Sequence, residues 1–424
     1  MFDFDVERVA AAARSDPAFA LNARFWTADV VFRMGEEPYR LQVRDGKIAQ
    51  FVRDHSDAAA DVRISGPAEA WEKLLMATPP APYQDPRFGG QRVGFVVEGD
   101  LTGALAPYYG AILEFLRVLR SARSGPPPER PVGRVERKFD AAVGRYMYVD
   151  VAGVQQRIYF EEAGQGKVPL ILQHTAGADG RQWRHLLEDA DFQRLFRMIS
   201  YDLPYHGRSL PPTSAPWWEE EYALTRDVLI ETVLAISQGL GLDRPVYMGC
   251  SVGGFLAPDL AFYKPDDFRA VVGLNAGLGI SPAKRNRESE TSWSHPRVGG
   301  QWRAAAMLAN TSPKSPEAYR RETGWIYDQG SQTAMTGDLL YYNAEHDLTE
   351  AQAARIDTAR VAVYLLTGEY DQLAYEDGTA RLARAIKGSH FQVVPGLGHF
   401  GPSENPEDFK AALLPVFEEI ARLA

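Results

Sequence analysis

The chain has 424 residues, 45% of them hydrophobic and 24% charged, which is ordinary globular composition and enough length for two or three domains. With 46 Lys+Arg against 56 Asp+Glu the formal charge is −10, and no long basic run interrupts the acidic balance, which argues against nucleic acid or an anionic membrane as a partner. The single cysteine, Cys250, excludes an intrachain disulfide and a cysteine-built zinc site. The N-terminal stretch lacks a basic start followed by an apolar core, and nowhere do about 18 apolar residues run together. The expectation is a cytoplasmic protein with no membrane insertion.

The elements of the front, residues 1–122, begin with a short helix. Runs at 30–34, 39–43 and 48–52 alternate as strands of a half-buried antiparallel sheet, separated by the turn signals Gly35 and Asp45-Gly46. A fourth strand at 61–65 leads through Gly66-Pro67 into a helix carrying Trp71, Leu74 and Leu75, and a last helix is expected over 104–119. These segments, ADVRISGPAEAWEKLL and VEGDLTGALAPYYGAILEFLRVL, resemble the sterol-carrier-protein-2-like domain. That resemblance implies a hydrophobic groove or a packing module and carries no catalytic signature.

A proline-rich stretch at 123–134 reads as a linker. Beyond it, residues 135–424 alternate strand and helix. A hairpin at 145–151 and 155–161 precedes apolar strands near 169–173, 196–201, 245–249, 270–274, 361–366 and 391–394. Apolar strands with helices between most of them indicate a mostly parallel sheet covered on both faces.

Gly249-Cys250-Ser251-Val252-Gly253 follows an apolar strand and opens a helix. In that strand–turn–helix context G-x-S-x-G presents a nucleophilic serine on a strained turn, with the glycines required because side chains at 249 and 253 would strike neighbouring backbone. A serine hydroxyl needs a base within hydrogen-bond reach. Among eight histidines only His399, in the Gly396–Gly401 loop between the last strand and the final helix, has the right setting. His55, His185, His295 and His346 show no partner pattern, and His390 starts a strand. The group that orients the imidazole is Asp371, a few residues beyond the penultimate strand, with Glu369 as its rival.

Together with two further segments these motifs resemble, in order, those of the α/β-hydrolase fold over residues 140–424. Gln173-His174-Thr175-Ala176 is similar to the family's His-Gly loop, with Thr175 in place of a glycine. The resemblance implies an oxyanion hole from the N–H groups of Val252 and Ala176. Asp202 to Ser209 is similar to the family's D-x-P-G-H-G-x-S turn, with Tyr205 in place of a glycine, so that His206 is expected to be a turn residue rather than a second base. The expected class is therefore α/β: an α/β-hydrolase fold with a helical cap, preceded by a small α+β domain.

About 85 residues separate the strand ending near Asn275 from the next, and an insertion at about 277–358 is read as the cap, with helical pieces at 300–308, 316–329, 331–343 and 349–357. It holds Trp293, Trp302, Trp325, Tyr341 and Tyr342, while Trp217 and Trp218 precede a helix expected over 219–240. Most of these aromatics are expected to pack, and a few to line an apolar pocket. The leading reading is a serine hydrolase acting on a carboxylic ester or lactone of a hydrophobic small molecule. The same triad, cap and Trp183 suit hydrolysis of a C–C bond in a dicarbonyl compound. Epoxide and haloalkane chemistry rank lower, since those relatives carry an Asp where Ser251 stands. A non-turnover receptor on the same scaffold and a lipid carrier built on the front domain are the readings from other classes. No cofactor or metal is required by the chemistry, and a homo-oligomer is compatible with the apolar face of the front domain.

Overall fold

The computed structural model describes residues 2, 4–56, 58–279, 293–374 and 376–423. The part of the expected cap at 280–292 lies outside the described residues. The described chain divides into two compact units: residues 2–131 together with 293–328, and residues 132–279 together with 329–423.

The first unit is built on a five-stranded sheet, β1 (Ala28–Met34), β2 (Glu37–Arg44), β3 (Lys47–Arg53), β4 (Val62–Gly66) and β5 (Val96–Gly99), in the order β3-β2-β1-β4-β5. β1 and β4 run parallel and the other neighbours antiparallel. Asp45 and Gly46 both have positive φ (48° and 74°), the backbone that a two-residue hairpin turn requires. β5 was not expected from the sequence. The long helix starts at Tyr109 and ends at Ser124, later at both ends than the expected 104–119. Pro107 lies in a 3-10 turn just before it, where a missing N–H is tolerated, and Gly125 with φ 79° closes it. Its apolar stripe faces the sheet, the Phe115 ring lying 5.5 Å from Phe32 and 5.1 Å from Phe51.

Part of the expected cap belongs to this unit. Helix Gly300–Ala309 packs on helix Tyr109–Ser124. Trp302 is fully buried there, 6.1 Å from Phe88, 5.4 Å from Tyr109 and 5.4 Å from Trp293. From helix Glu317–Asp328, Arg321 pairs with the buried Glu114 at 2.6 Å. Trp293 and Trp302 are thus core residues of the first unit, as the packing expectation held. Residues 126–140 are without regular helix or strand, and 131–140 are exposed throughout.

The second unit carries an eight-stranded sheet: β6 (Val143–Val151), β7 (Val154–Ala163), β8 (Val168–Gln173), β9 (Phe196–Tyr201), β10 (Val246–Cys250), β11 (Ala270–Leu274), β12 (Ala362–Gly368) and β13 (His390–Val394). Their order is β13-β12-β11-β10-β8-β9-β7-β6, with β8 to β13 mutually parallel and the β6–β7 hairpin antiparallel. β8, β10 and β11 are buried at every position, which is why they read as unbroken apolar runs. From β8 the chain goes first to β9 on one side and then to β10 on the other. This reversal opens a crevice at the carboxyl ends of β8 and β10, the place where ligands bind in open parallel sheets. Helix Arg226–Gly239 begins seven residues later than expected, capped by the Thr225 side chain on Val228 N–H. Among the described residues no helix is long and apolar enough to cross a membrane.

Candidate active site

Ser251 stands at the end of β10, immediately before helix Val252–Tyr263, with φ 54° and ψ −112°. Such a backbone is uncommon for a non-glycine residue and is held from outside: Ser251 N–H donates to Leu274 O at 2.9 Å and Ser251 O accepts from Phe255 N–H at 2.7 Å. A Cβ at Gly249 would fall on the backbone of Gly253, and one at Gly253 would come within 2.9 Å of Gln173 O. The turn is therefore closed to side chains on both flanks, and the serine side chain, 8% exposed, projects over the crevice.

His399 lies in the loop after β13. Its Nδ1–H donates to Asp371 Oδ1 at 2.9 Å, and the same oxygen accepts from Leu373 N–H at 2.8 Å and Ala374 N–H at 3.1 Å. Glu369, the rival acid, instead accepts from Gly396 N–H at 2.8 Å and so braces the start of the histidine loop. The loop is also anchored through the His399 carbonyl, which accepts from Asn275 Nδ2 at 2.7 Å and from Cys250 Sγ at 3.3 Å. Cys250 is fully buried, which pushes its thiol up and leaves it a weak donor rather than a nucleophile. His399 Nε2 makes no hydrogen bond among the described residues. The Ser251 Oγ bond runs not to this ring but to the Tyr342 hydroxyl, at 2.6 Å.

The loop after β8 has its N–H groups assigned one by one. Thr175 N–H donates to Gln182 Oε1 at 2.9 Å, and Gly177 N–H to Asp338 Oδ2 at 2.7 Å. Ala176 N–H between them, and Val252 N–H in the first turn of the helix behind Ser251, have no acceptor among the described residues. In the turn Asp202–Ser209, Asp202 accepts from Gly180 N–H at 2.8 Å and Arg208 N–H at 2.7 Å, and Ser209 Oγ donates to Asp202 O at 2.8 Å. Tyr205, which replaces the family's glycine, keeps positive φ at 71°.

Two histidines that had no assigned partner, or only a turn role, sit in buried ion pairs. His206 directs Nε2 to Asp338 Oδ2 at 2.8 Å and Nδ1 to Pro204 O at 2.9 Å. His346 directs Nδ1 to Asp259 Oδ2 at 3.0 Å and Nε2 to Gly277 O at 3.0 Å. Burial alone would lower both pKa values, but the adjacent carboxylate in each case outweighs it and raises them. With both ring nitrogens facing acceptors, each is the doubly protonated ring. His174, whose ring lies 5.0 Å from His206, has the opposite fate: its Nδ1 faces Thr175 O and its Nε2 accepts from Leu203 N–H. Burial and the neighbouring His206 charge lower its pKa to about 4.

Asp338, Tyr342 and His346 were not singled out as functional residues, because their partners Gly177, Ser251 and Asp259 lie far away in sequence. The available signal is their spacing of four across helix Gln332–Leu340 and the turn after it. Trp183, expected from the sequence to suit either chemistry, is fully buried in the sheet's hydrophobic core. Trp217, Trp218 and Trp325 are exposed.

A family model described as the alpha/beta hydrolase family matches residues 170–412. The bifunctional epoxide hydrolase 2 of Sus scrofa is 34% identical over 119 residues, 28% of this chain and 20% of that protein, so the chain spans only a fifth of that relative's length. A 2-hydroxy-6-oxononadienedioate/2-hydroxy-6-oxononatrienedioate hydrolase of Paraburkholderia phymatum is 26% identical over 290 residues, 65% of this chain and 96% of that one. Among solved structures, a thermophilic esterase from Thermogutta terrifontis superposes with a TM-score of 0.57 at 19% identity, covering 65% of this chain and 99% of that one. The match over more than half its length, on the sheet and elbow just described, makes the chain a member of the alpha/beta hydrolase family.

Proposed function

We propose that the chain is a serine hydrolase that cleaves a carboxylic ester or lactone of a hydrophobic small molecule through an acyl-enzyme. The observation that carries this reading is the buried His399–Asp371 pair, with Nε2 left open, at the same sheet edge as a serine held at positive φ. Asp371 fixes the tautomer with the proton on Nδ1, so Nε2 presents a lone pair to the Ser251 hydroxyl. As Oγ attacks the acyl carbon, its proton passes to Nε2 and then to the departing oxygen. Ala176 and Val252 N–H receive the oxyanion, each such donor being worth about 3–4 kcal/mol of transition-state stabilisation. Water then repeats the sequence on the acyl-enzyme and releases the acid.

A second reading is favoured by the Paraburkholderia phymatum relative, a 2-hydroxy-6-oxononadienedioate/2-hydroxy-6-oxononatrienedioate hydrolase. The same residues would then cleave a C–C bond beside a carbonyl, with the carbon leaving group taking the proton. A panel of p-nitrophenyl esters, γ- and δ-lactones and a 2-hydroxy-6-oxo-dienoate separates the two. Turnover of esters or lactones at least about 10²-fold above the dienoate in kcat/KM, a gap of about 2.7 kcal/mol, supports the ester reading, and the reverse order replaces it. For the first unit we propose a packing role, one of the two that its resemblance to the sterol-carrier-protein-2-like domain implies. Support comes from the 293–328 segment, whose Trp302 completes that unit's core.

A further inference from the structure

Tyr342 is the residue whose side chain meets the nucleophile. Its hydroxyl lies 2.6 Å from Ser251 Oγ, and its ring stands edge-on to Phe255 at 5.1 Å. It follows helix Gln332–Leu340 in a short π-helical turn, Tyr341–Glu345, where His346 N–H closes back onto Tyr341 O at 2.8 Å. Such wide turns are over-represented at functional sites.

The segment is pinned on both sides of Tyr342. Four residues before it, Asp338 holds His206, the Tyr222 hydroxyl at 3.3 Å and Gly177 N–H of the loop that contains Ala176. Four residues after it, His346 is held by Asp259, which also takes the Tyr341 hydroxyl at 2.6 Å. Asp338 and Tyr342 therefore reach the β8 loop and the nucleophile from one segment. This is a fixed donor rather than a side chain on a swinging flap. Burial holds the phenol far above its ordinary pKa, so it keeps its proton to donate.

Resting on the serine-hydrolase reading, we propose that Tyr342 is a third catalytic hydrogen-bond donor, moving from Ser251 Oγ in the free enzyme to an oxygen of the tetrahedral intermediate on that same Oγ. The oxygens on the tetrahedral carbon are two covalent bonds from Oγ, so a hydroxyl already in contact with Oγ reaches them by a small rotation. No proton is transferred by Tyr342; His399 still carries it. A donor already within reach of the reacting centre needs little reorganisation to stabilise the charge that develops there.

The test is Tyr342→Phe in the full chain, which removes one oxygen and keeps the ring packed on Phe255. With p-nitrophenyl butyrate as substrate, kcat is expected to fall about 10²-fold with KM within about twofold, at an unchanged melting temperature. Inhibition by an alkylboronic acid, which forms a tetrahedral adduct on a serine oxygen, should weaken by the same factor as kcat/KM. A variant as fast as the parent, or faster because the hydroxyl merely blocked Ser251, overturns the proposal. So does a slow variant that binds the boronate as tightly as the parent. Ser251→Ala is run alongside. If it keeps turnover, the serine-hydrolase reading itself fails; if it is inactive while Tyr342→Phe is unimpaired, only the third donor is lost.

Discussion

Among the described residues, three buried histidine–aspartate pairs lie in the second unit at nearly the same distance, 2.9 Å for His399–Asp371, 2.8 Å for His206–Asp338 and 3.0 Å for His346–Asp259. What separates them is the second ring nitrogen. In His206 and His346 it faces a backbone carbonyl, so the ring holds two protons and serves as a fixed cation. In His399 it faces the crevice without an acceptor, so the ring is free to take a proton and give it back. A carboxylate 3 Å from an imidazole therefore does not define a catalytic dyad. In the proposed reading the open nitrogen on the far side is what marks His399 as the working ring.

The comparison breaks first if the open ring is not the working one. Ser251→Ala and His399→Ala should each lower kcat about 10⁶-fold, while His346→Gln should leave activity within about tenfold in whatever fraction folds. Asp371→Asn should cost about 10⁴-fold, because an amide favours the wrong imidazole tautomer. Glu369→Gln should cost far less, since that carboxylate accepts from the Gly396 N–H while the His399 ring is held by Asp371. Steady-state kinetics on the five purified proteins check the order, and a Glu369→Gln defect larger than that of Asp371→Asn reverses the assignment of the acid.

The pairs differ as much in legibility as in chemistry. Ser251, Asp371 and His399 could be picked out because each follows a strand in an order the sequence displays, and because glycines mark where backbone must approach backbone. The sheet was readable for the same reason: β8, β10 and β11 are buried on both faces and contain almost nothing but apolar residues. Asp338, Tyr342 and His346 were not readable, since each is defined by a partner brought near only by the fold. Asp338 looks like any acid in a helix until Gly177 and His206 are placed against it. Nor could spacing reveal that 293–328, written inside the hydrolase half, would complete the core of the front unit through Trp302. The late start of helix Tyr109–Ser124 was legible in Pro107 but outweighed by the apolar periodicity around it.

A smaller effect is expected at the latch. Asp338→Asn leaves the His206 cation buried beside a neutral amide and weakens the hold on Gly177 N–H. Removing one partner of a buried pair costs about 3–5 kcal/mol. Chemical denaturation should register that loss, and activity should fall with it, since Asp338 holds the N–H next to Ala176 in the proposed oxyanion loop. An Asp338→Asn protein as stable as the parent would mean that His206 is neutral and that the two kinds of pair are alike after all.

The finest discrimination comes from pH. His206 and His346 have pKa values raised above the unfolded value of about 6.5, so the stability they contribute is complete below that pH and is lost as pH rises through their folded values. His174 works in the other direction. Its pKa is lowered to about 4, so its contribution is complete above about 6.5 and is lost as pH falls toward 4, where the unfolded chain binds a proton that the folded one refuses. Part of that refusal is the charge on His206, 5.0 Å away ring to ring. The two limbs are therefore linked through one contact. Stability measured from pH 4 to 9 should form a dome. His174→Gln, which removes the titrating group, should flatten the acid limb and leave the alkaline one, whereas His346→Gln should flatten only the alkaline limb. Asp338→Asn should weaken both, because a His206 ring that has lost its counter-ion gives up its proton more readily and then no longer opposes protonation of His174. An acid limb that survives His174→Gln unchanged would place the acid sensitivity in the carboxylates and separate His174 from the charge of its neighbour.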